Sequence, residues 1–177
     1  MLVFLYSEDR LGEYTPWPSA ALNRRFPDFS GRGEAYLDEL KENCVPWLVR
    51  EWGADADELS LMGYSLGGLI SIYALTRQTC WKRAVSLCGS FWYEGWLNYL
   101  GNHHPLTNAE ILLHYGKREG FGKQSRMESA TLCARSTAQL LTEACQVTLT
   151  YDNGGHHDYI RQRYEAGLMW LLASIQS

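Results

Sequence analysis

The sequence predicts an α/β fold, a mostly parallel sheet of about five strands covered by helices, and three observations carry that reading. Short apolar runs alternate with longer amphipathic segments along most of the chain, as in sheets whose strands are joined by helical crossovers. The last such segment, over 158–174, places Ile160, Tyr164, Leu168, Leu171 and Leu172 on one stripe, with Arg161, Arg163 and Glu165 facing away. Between them, Gly63-Tyr64-Ser65-Leu66-Gly67-Gly68 follows a strand-like run and leads into the apolar Leu69-Ile70-Ser71-Ile72-Tyr73-Ala74. A strand that turns this sharply into a helix belongs to an α/β architecture.

The elements follow in order. Met1-Leu2-Val3-Phe4-Leu5-Tyr6 is apolar and reads as a first strand, over 1–6. The segment from Ser7 to Arg32, rich in Pro16, Pro18, Pro27, Gly12 and Gly31 with Tyr14, Trp17, Phe26 and Phe29, reads as a long structured loop. Leu37, Leu40, Cys44, Trp47 and Leu48 keep helical spacing across 33–52. Pro46 should kink that helix, because it has no N–H to donate to the carbonyl of Glu42. Further strands are expected near 57–62, 82–88, 110–115 and 146–151, and further helices over 66–77 and 126–144. A second aromatic cluster, Phe91, Trp92, Tyr93 and Trp96, follows the strand near 82–88.

At 177 residues the chain can bury one good core, so one domain spanning 1–177 is expected. A net charge of −4 without a basic run argues against nucleic acid as a partner. No long apolar stretch or basic leader stands at the start, so no membrane span is expected and the compartment expected is the cytoplasm. Cys44, Cys80, Cys88, Cys133 and Cys145 are odd in number and lack C-x-x-C spacing, which suggests buried thiols rather than a disulfide framework or zinc site. Adjacent His103-His104 and His156-His157 lack metal-ligand spacing, and neither metal nor cofactor is expected.

Ser65 sits at the centre of a G-x-S-x-G, the shape that leaves a hydroxyl exposed on a tight turn. Glycines on both flanks remove side chains that would meet neighbouring backbone. The hydroxyl would lie at a helix N-terminus, where free N–H groups favour a developing oxyanion. A serine needs a base and the base needs an orienting acid. His156 lies after the last strand, before the last helix and beside Gly154 and Gly155, where this chain order puts a base; His157 would point to the other side. Glu119 lies just past the strand near 110–115 and between serine and histidine in sequence; it is either the acid or a surface balance to Lys117 and Arg118. Asp152 and Asp158 are too local to His156 to be first choices. His103 and His104 are expected at solvent or at the site's mouth. Tyr64 and Leu66 flank the serine, and Trp17 and Trp92 stand in loops at strand carboxyl ends, so these four are the candidate substrate contacts.

Several separated motifs resemble the esterase family of α/β-hydrolases that includes enterochelin esterase-like, esterase D-like and feruloyl esterase-like proteins. They are Arg10 with Glu13-Tyr14-Thr15-Pro16, the elbow at Gly63 to Gly68, Gly89-Ser90-Phe91-Trp92-Tyr93, Gly116 to Glu119, and Gly154-Gly155-His156. The resemblance implies an α/β-hydrolase-like three-layer sandwich and hydrolysis of a small-molecule carboxylic ester by Ser65, His156 and Glu119. It also implies an N-terminally truncated form, opening on what matches the family's fourth strand, without the loop that supplies a second oxyanion donor. The backbone N–H of Leu66 remains as one donor. An edge left open in this way makes a homo-oligomer an expected possibility. The competing reading is a hydrolase-like domain that binds a small molecule or partner protein without turnover.

Overall fold

A computed structural model describes residues 1–106 and 108–175. Helix α1 (Arg10–Glu13) starts on the Asp9 side chain, which accepts from the Gly12 N–H. Helices α2 (Gly33–Glu39) and α3 (Val45–Trp52) are joined by a wide π turn, Leu40–Cys44, where the Val45 N–H reaches back to the Leu40 carbonyl. Pro46 falls in the first turn of α3. The expected kink is therefore a π-bulge: one extra residue per turn brings in the proline where its missing N–H costs nothing.

Strand β1 (Leu59–Tyr64) runs into helix α4 (Leu66–Arg77), and β2 (Trp81–Leu87) leads to α5 (Trp96–Asn102). Strand β3 (Glu110–Gly116) is followed by a 3₁₀ turn, Arg126–Ser129, and α6 (Ala130–Leu141). Strand β4 (Gln146–Asp152) precedes α7 (Ile160–Ile175). Among the described residues the sheet has four strands in the order β1-β2-β3-β4, each pair parallel. Residues 1–6 form no strand, which corrects the count of five. An apolar run needs a ladder partner to become a strand, and β1 pairs only with β2. Phe4 and Tyr6 are each 88 % exposed.

Side chains alternate across the sheet with period two. Leu59, Leu61, Ala84, Ile111, Leu113 and Val147 face the larger core with α4, whose residues from Leu66 to Thr76 are nearly all buried. Met62, Tyr64, Val85, Leu87 and Leu112 face a smaller core covered by Trp170 and Leu171 of α7. The result is an α/β-hydrolase-like three-layer sandwich. Helix α7 is rotated from its expected setting: Arg163 and Gly167 are buried, whereas Ile160, Tyr164 and Leu172 are exposed. Gly167 presses on Met62 and Val85, where a Cβ would come within 2.9 and 3.0 Å of their side chains. That close approach turns Arg163, one helical turn earlier, towards the sheet. Among the described residues no helix is long and apolar enough to cross a membrane.

Candidate active site

Each strand delivers one part of the site from its carboxyl end, the rim where parallel sheets hold ligands. Ser65 follows β1 with φ 59° and ψ −119°, a conformation rare for a residue with a Cβ. Two backbone bonds hold it there: Ser65 N–H donates to Leu87 O at 2.9 Å and Ser90 N–H donates to Ser65 O at 3.0 Å. A Cβ on Gly63 would stand 2.2 Å from the Gly67 carbonyl carbon, and one on Gly68 2.5 Å from Ser86 Oγ. A Cβ on Gly67 meets nothing within 4 Å. The close approaches thus require Gly63 and Gly68, not the two glycines flanking the serine alike. Ser65 is also the N-cap of α4, so the Leu66 N–H opens that helix without an intrahelical acceptor.

Glu119 follows β3 and is 6 % exposed. Its Oε1 accepts from the Gly116 N–H at 3.2 Å and its Oε2 lies 3.3 Å from His156 Nδ1. Burial pushes its pKa up, yet bonds from His156, the Cys88 thiol and Gly116 outweigh burial and hold it below the usual carboxylate value. An ionised carboxylate accepts only, so Nδ1 carries the imidazole proton and Nε2 is left as acceptor. His156 follows β4, and its Nε2 is 3.1 Å from Ser65 Oγ. Alcohol, imidazole and carboxylate form one hydrogen-bonded line, an arrangement able to draw the proton from the alcohol. Ser90, after β2, places its Oγ 3.2 Å from Ser65 Oγ. His157 is exposed and meets His156 edge-on. His103 stacks on Tyr99, 4.3 Å between centroids, and is exposed.

Beneath the His156 loop lies the buried guanidinium of Arg163. Its Nε and Nη2 donate to the two Asp152 carboxylate oxygens at 2.7 and 2.8 Å. Nη2 also donates to Gly155 O at 3.0 Å, and Nη1 to Tyr64 Oη at 2.8 Å and Cys88 Sγ at 2.9 Å. The Tyr64 hydroxyl in turn donates to the carbonyl of His156. Tyr64, expected against substrate, thus has its polar end in this clamp. Burial opposes the Asp152 charge, but Arg163, His114 and the Gly154 N–H hold its pKa well below the usual range. Burial, then the Glu119 carboxylate, pushes the Cys88 thiol up. Cys88 Sγ, Glu119 and His156 offer ligand atoms within 4.8 Å of one another, but the guanidinium against the sulfur opposes a second cation there.

Trp92 is buried against Phe29, and Trp17 packs among Tyr73, Tyr93 and Tyr99. Trp17 Nε1 donates to Glu94 O at 2.9 Å and Tyr93 Oη donates to Trp17 O at 2.5 Å. Leu66 is buried at the start of α4. Sequence reasoning missed Arg163, Asp152 and Cys88; an arginine in the amphipathic last helix is assigned outward by default. It met Ser90 only as part of a resemblance.

Residues 1–165 match the family described as Putative esterase. The chain belongs to that esterase family. It is 32 % identical over 188 residues to the uncharacterized protein YbbA of Bacillus subtilis, covering all of this chain and 75 % of that protein. Solved structures of similar fold include the IroE-like serine hydrolase from Shewanella oneidensis, with TM-score 0.77 and 16 % identity over 92 % of this chain and 56 % of the other. The BES protein from Bacillus cereus gives TM-score 0.72 and 16 % identity, over 94 % of this chain and 66 % of that one. The siderophore hydrolase EstA from Aspergillus nidulans gives 0.71 and 16 %, over 100 % and 70 %. This member of the esterase family spans between 56 % and 75 % of these relatives.

Proposed function

We propose that the protein is a serine hydrolase that cleaves a carboxylic ester through Ser65, His156 and Glu119 with an acyl-enzyme intermediate. The observation that carries this is the unbroken relay, 3.1 Å from Ser65 Oγ to His156 Nε2 and 3.3 Å from His156 Nδ1 to Glu119. As Ser65 Oγ attacks the ester carbon, its proton passes to Nε2, and the imidazolium is stabilised by Glu119. The Leu66 N–H, at the positive end of α4, stabilises the oxyanion. His156 then gives its proton to the departing alcohol. Water, deprotonated by His156, attacks the acyl carbon; the bond to Ser65 Oγ breaks, Oγ takes the proton back from Nε2, and the acid leaves.

Membership of an esterase family supports the ester linkage, and the siderophore hydrolase among the similar folds places a siderophore ester beside simple esters in the first assays. The test is p-nitrophenyl acetate hydrolysis with Ser65→Ala. Turnover should fall at least about 10³-fold. Equal turnover in both proteins would refute catalysis by Ser65 and leave a hydrolase-shaped binding domain.

A further inference from the structure

Ser90 is fully buried, and its hydroxyl is 3.2 Å from the oxygen of Ser65. The direction of that bond is fixed by the rest of the line. Glu119 accepts from Nδ1, so Nε2 has no proton and must itself accept. Ser65 has one hydroxyl hydrogen, and it goes to Nε2. Ser65 Oγ can therefore only accept from Ser90, which is the donor. We propose that Ser90 is a further catalytic residue, whose buried hydroxyl donates to Ser65 Oγ and stabilises that oxygen when it leaves the acyl carbon.

The role rests on the serine hydrolase reading and differs between its two half-reactions. In acylation the Ser65 hydroxyl oxygen already accepts from Ser90 before it attacks, so the bond is present at the start and the step gains little from it. The acyl-enzyme, whose Oγ is an ester oxygen and a poor acceptor, starts deacylation without it. In deacylation, water has added to the acyl carbon and His156 holds the water's proton. The bond between Oγ and carbon then breaks, its electron pair goes to Oγ, and the proton on Nε2 follows. Negative charge grows on Oγ during that step, and a hydrogen bond to a charged oxygen is about twice as strong as a neutral one. The donor costs little to hold in place: Ser90 N–H donates to Ser65 O at 3.0 Å and Ser90 O accepts from Tyr93 N–H at 3.0 Å. Ser90 is thus prealigned where charge develops.

The experiment is pre-steady-state hydrolysis of p-nitrophenyl acetate by wild type, Ser65→Ala and Ser90→Ala. Ser90→Ala should lower kcat roughly 10- to 100-fold while kcat/KM, which reads acylation, stays close to wild type. KM should fall with kcat, and a burst of about one nitrophenolate per Ser65 should mark the stalled acyl-enzyme. A merely structural defect would lower kcat/KM as well. Unchanged kcat, or a loss shared equally by kcat and kcat/KM without a burst, overturns the role of Ser90 and leaves the hydrolase reading intact. Turnover that survives Ser65→Ala overturns both. Should the alanine variant lose its near-ultraviolet circular dichroism, Ser90→Cys, similar in size but a weaker donor, carries the same reading: a smaller fall in kcat at constant kcat/KM supports the role, and wild-type kcat refutes it.

Discussion

Glu119 is nearly inaccessible to water and still carries its charge, because three donors converge on it. In the proposed mechanism its work is to keep the His156 proton on Nδ1. Glu119→Gln keeps the shape but offers an amide that no longer fixes the tautomer, and kcat/KM should fall roughly 10³- to 10⁴-fold; a loss under tenfold in ester hydrolysis would exclude the acid role. His156→Ala should cost far more than His157→Ala, since the second imidazole is exposed and away from the relay; similar acylation rates for the two variants would reverse the assignment. The meeting of Ser65, Glu119 and His156 in one hydrogen-bonded line was legible in their order along the chain, because chain order and strand ends determine what can converge. Ser90 was not legible in the same way: serine in a loop carries no signal, and only the meeting of two loops at the ends of β1 and β2 brings the two hydroxyls together.

At the scale of elements, two junctions determine whether those side chains meet. The first is the turn from β1 to α4. Gly63→Ala must push a Cβ into the Gly67 backbone at 2.2 Å, whereas Gly67→Ala meets nothing within 4 Å. The first should cost about 1–3 kcal/mol or more and the second less than about 1 kcal/mol, as read by urea unfolding; equal costs would contradict the turn geometry. The motif's glycines look equivalent in the sequence, and only the fold separates them. The second junction is α7 against the His156 loop, where Arg163 ties Asp152, Gly155, Tyr64 and Cys88 together. Removing one partner of a buried pair strands the other charge, so Arg163→Met should cost up to about 3–5 kcal/mol at pH 7. The pH dependence has a definite sign. Asp152 is depressed in the fold relative to about 3.9 when unfolded, so its pairing contributes fully above that value and fades as the pH falls towards its folded pKa. The penalty of Arg163→Met should therefore shrink between pH 7 and pH 3, and a constant or growing penalty would remove Asp152 as the partner. This clamp was illegible because a 3.6-residue period fits two adjacent settings of α7, and the choice between them is made by Gly167 lying against β1 and β2.

Across the described residues, one rim gathers a polar side chain from beyond the carboxyl end of each of the four strands: Ser65, Ser90, Glu119 and His156 in chain order. The alternation of apolar and amphipathic segments was enough to place these strands within a residue or two, and the parallel order followed from the helical crossovers. The first six residues misled for a physical reason: apolar content marks a segment that can pair, and the partner is a property of the fold. Because this segment is exposed and lies outside the sheet, deleting residues 1–6 should move Tm by less than about 3 °C in calorimetry, against roughly 2–8 °C for each kcal/mol lost; a larger drop would show that the segment is packed. Activation of Ser65 by the imidazole beside it is read out by peptide mapping after labelling with a fluorophosphonate. A single adduct is expected on Ser65, and its formation should collapse in His156→Ala; an adduct on another residue, or one on Ser65 that forms as fast without His156, would overturn the relay.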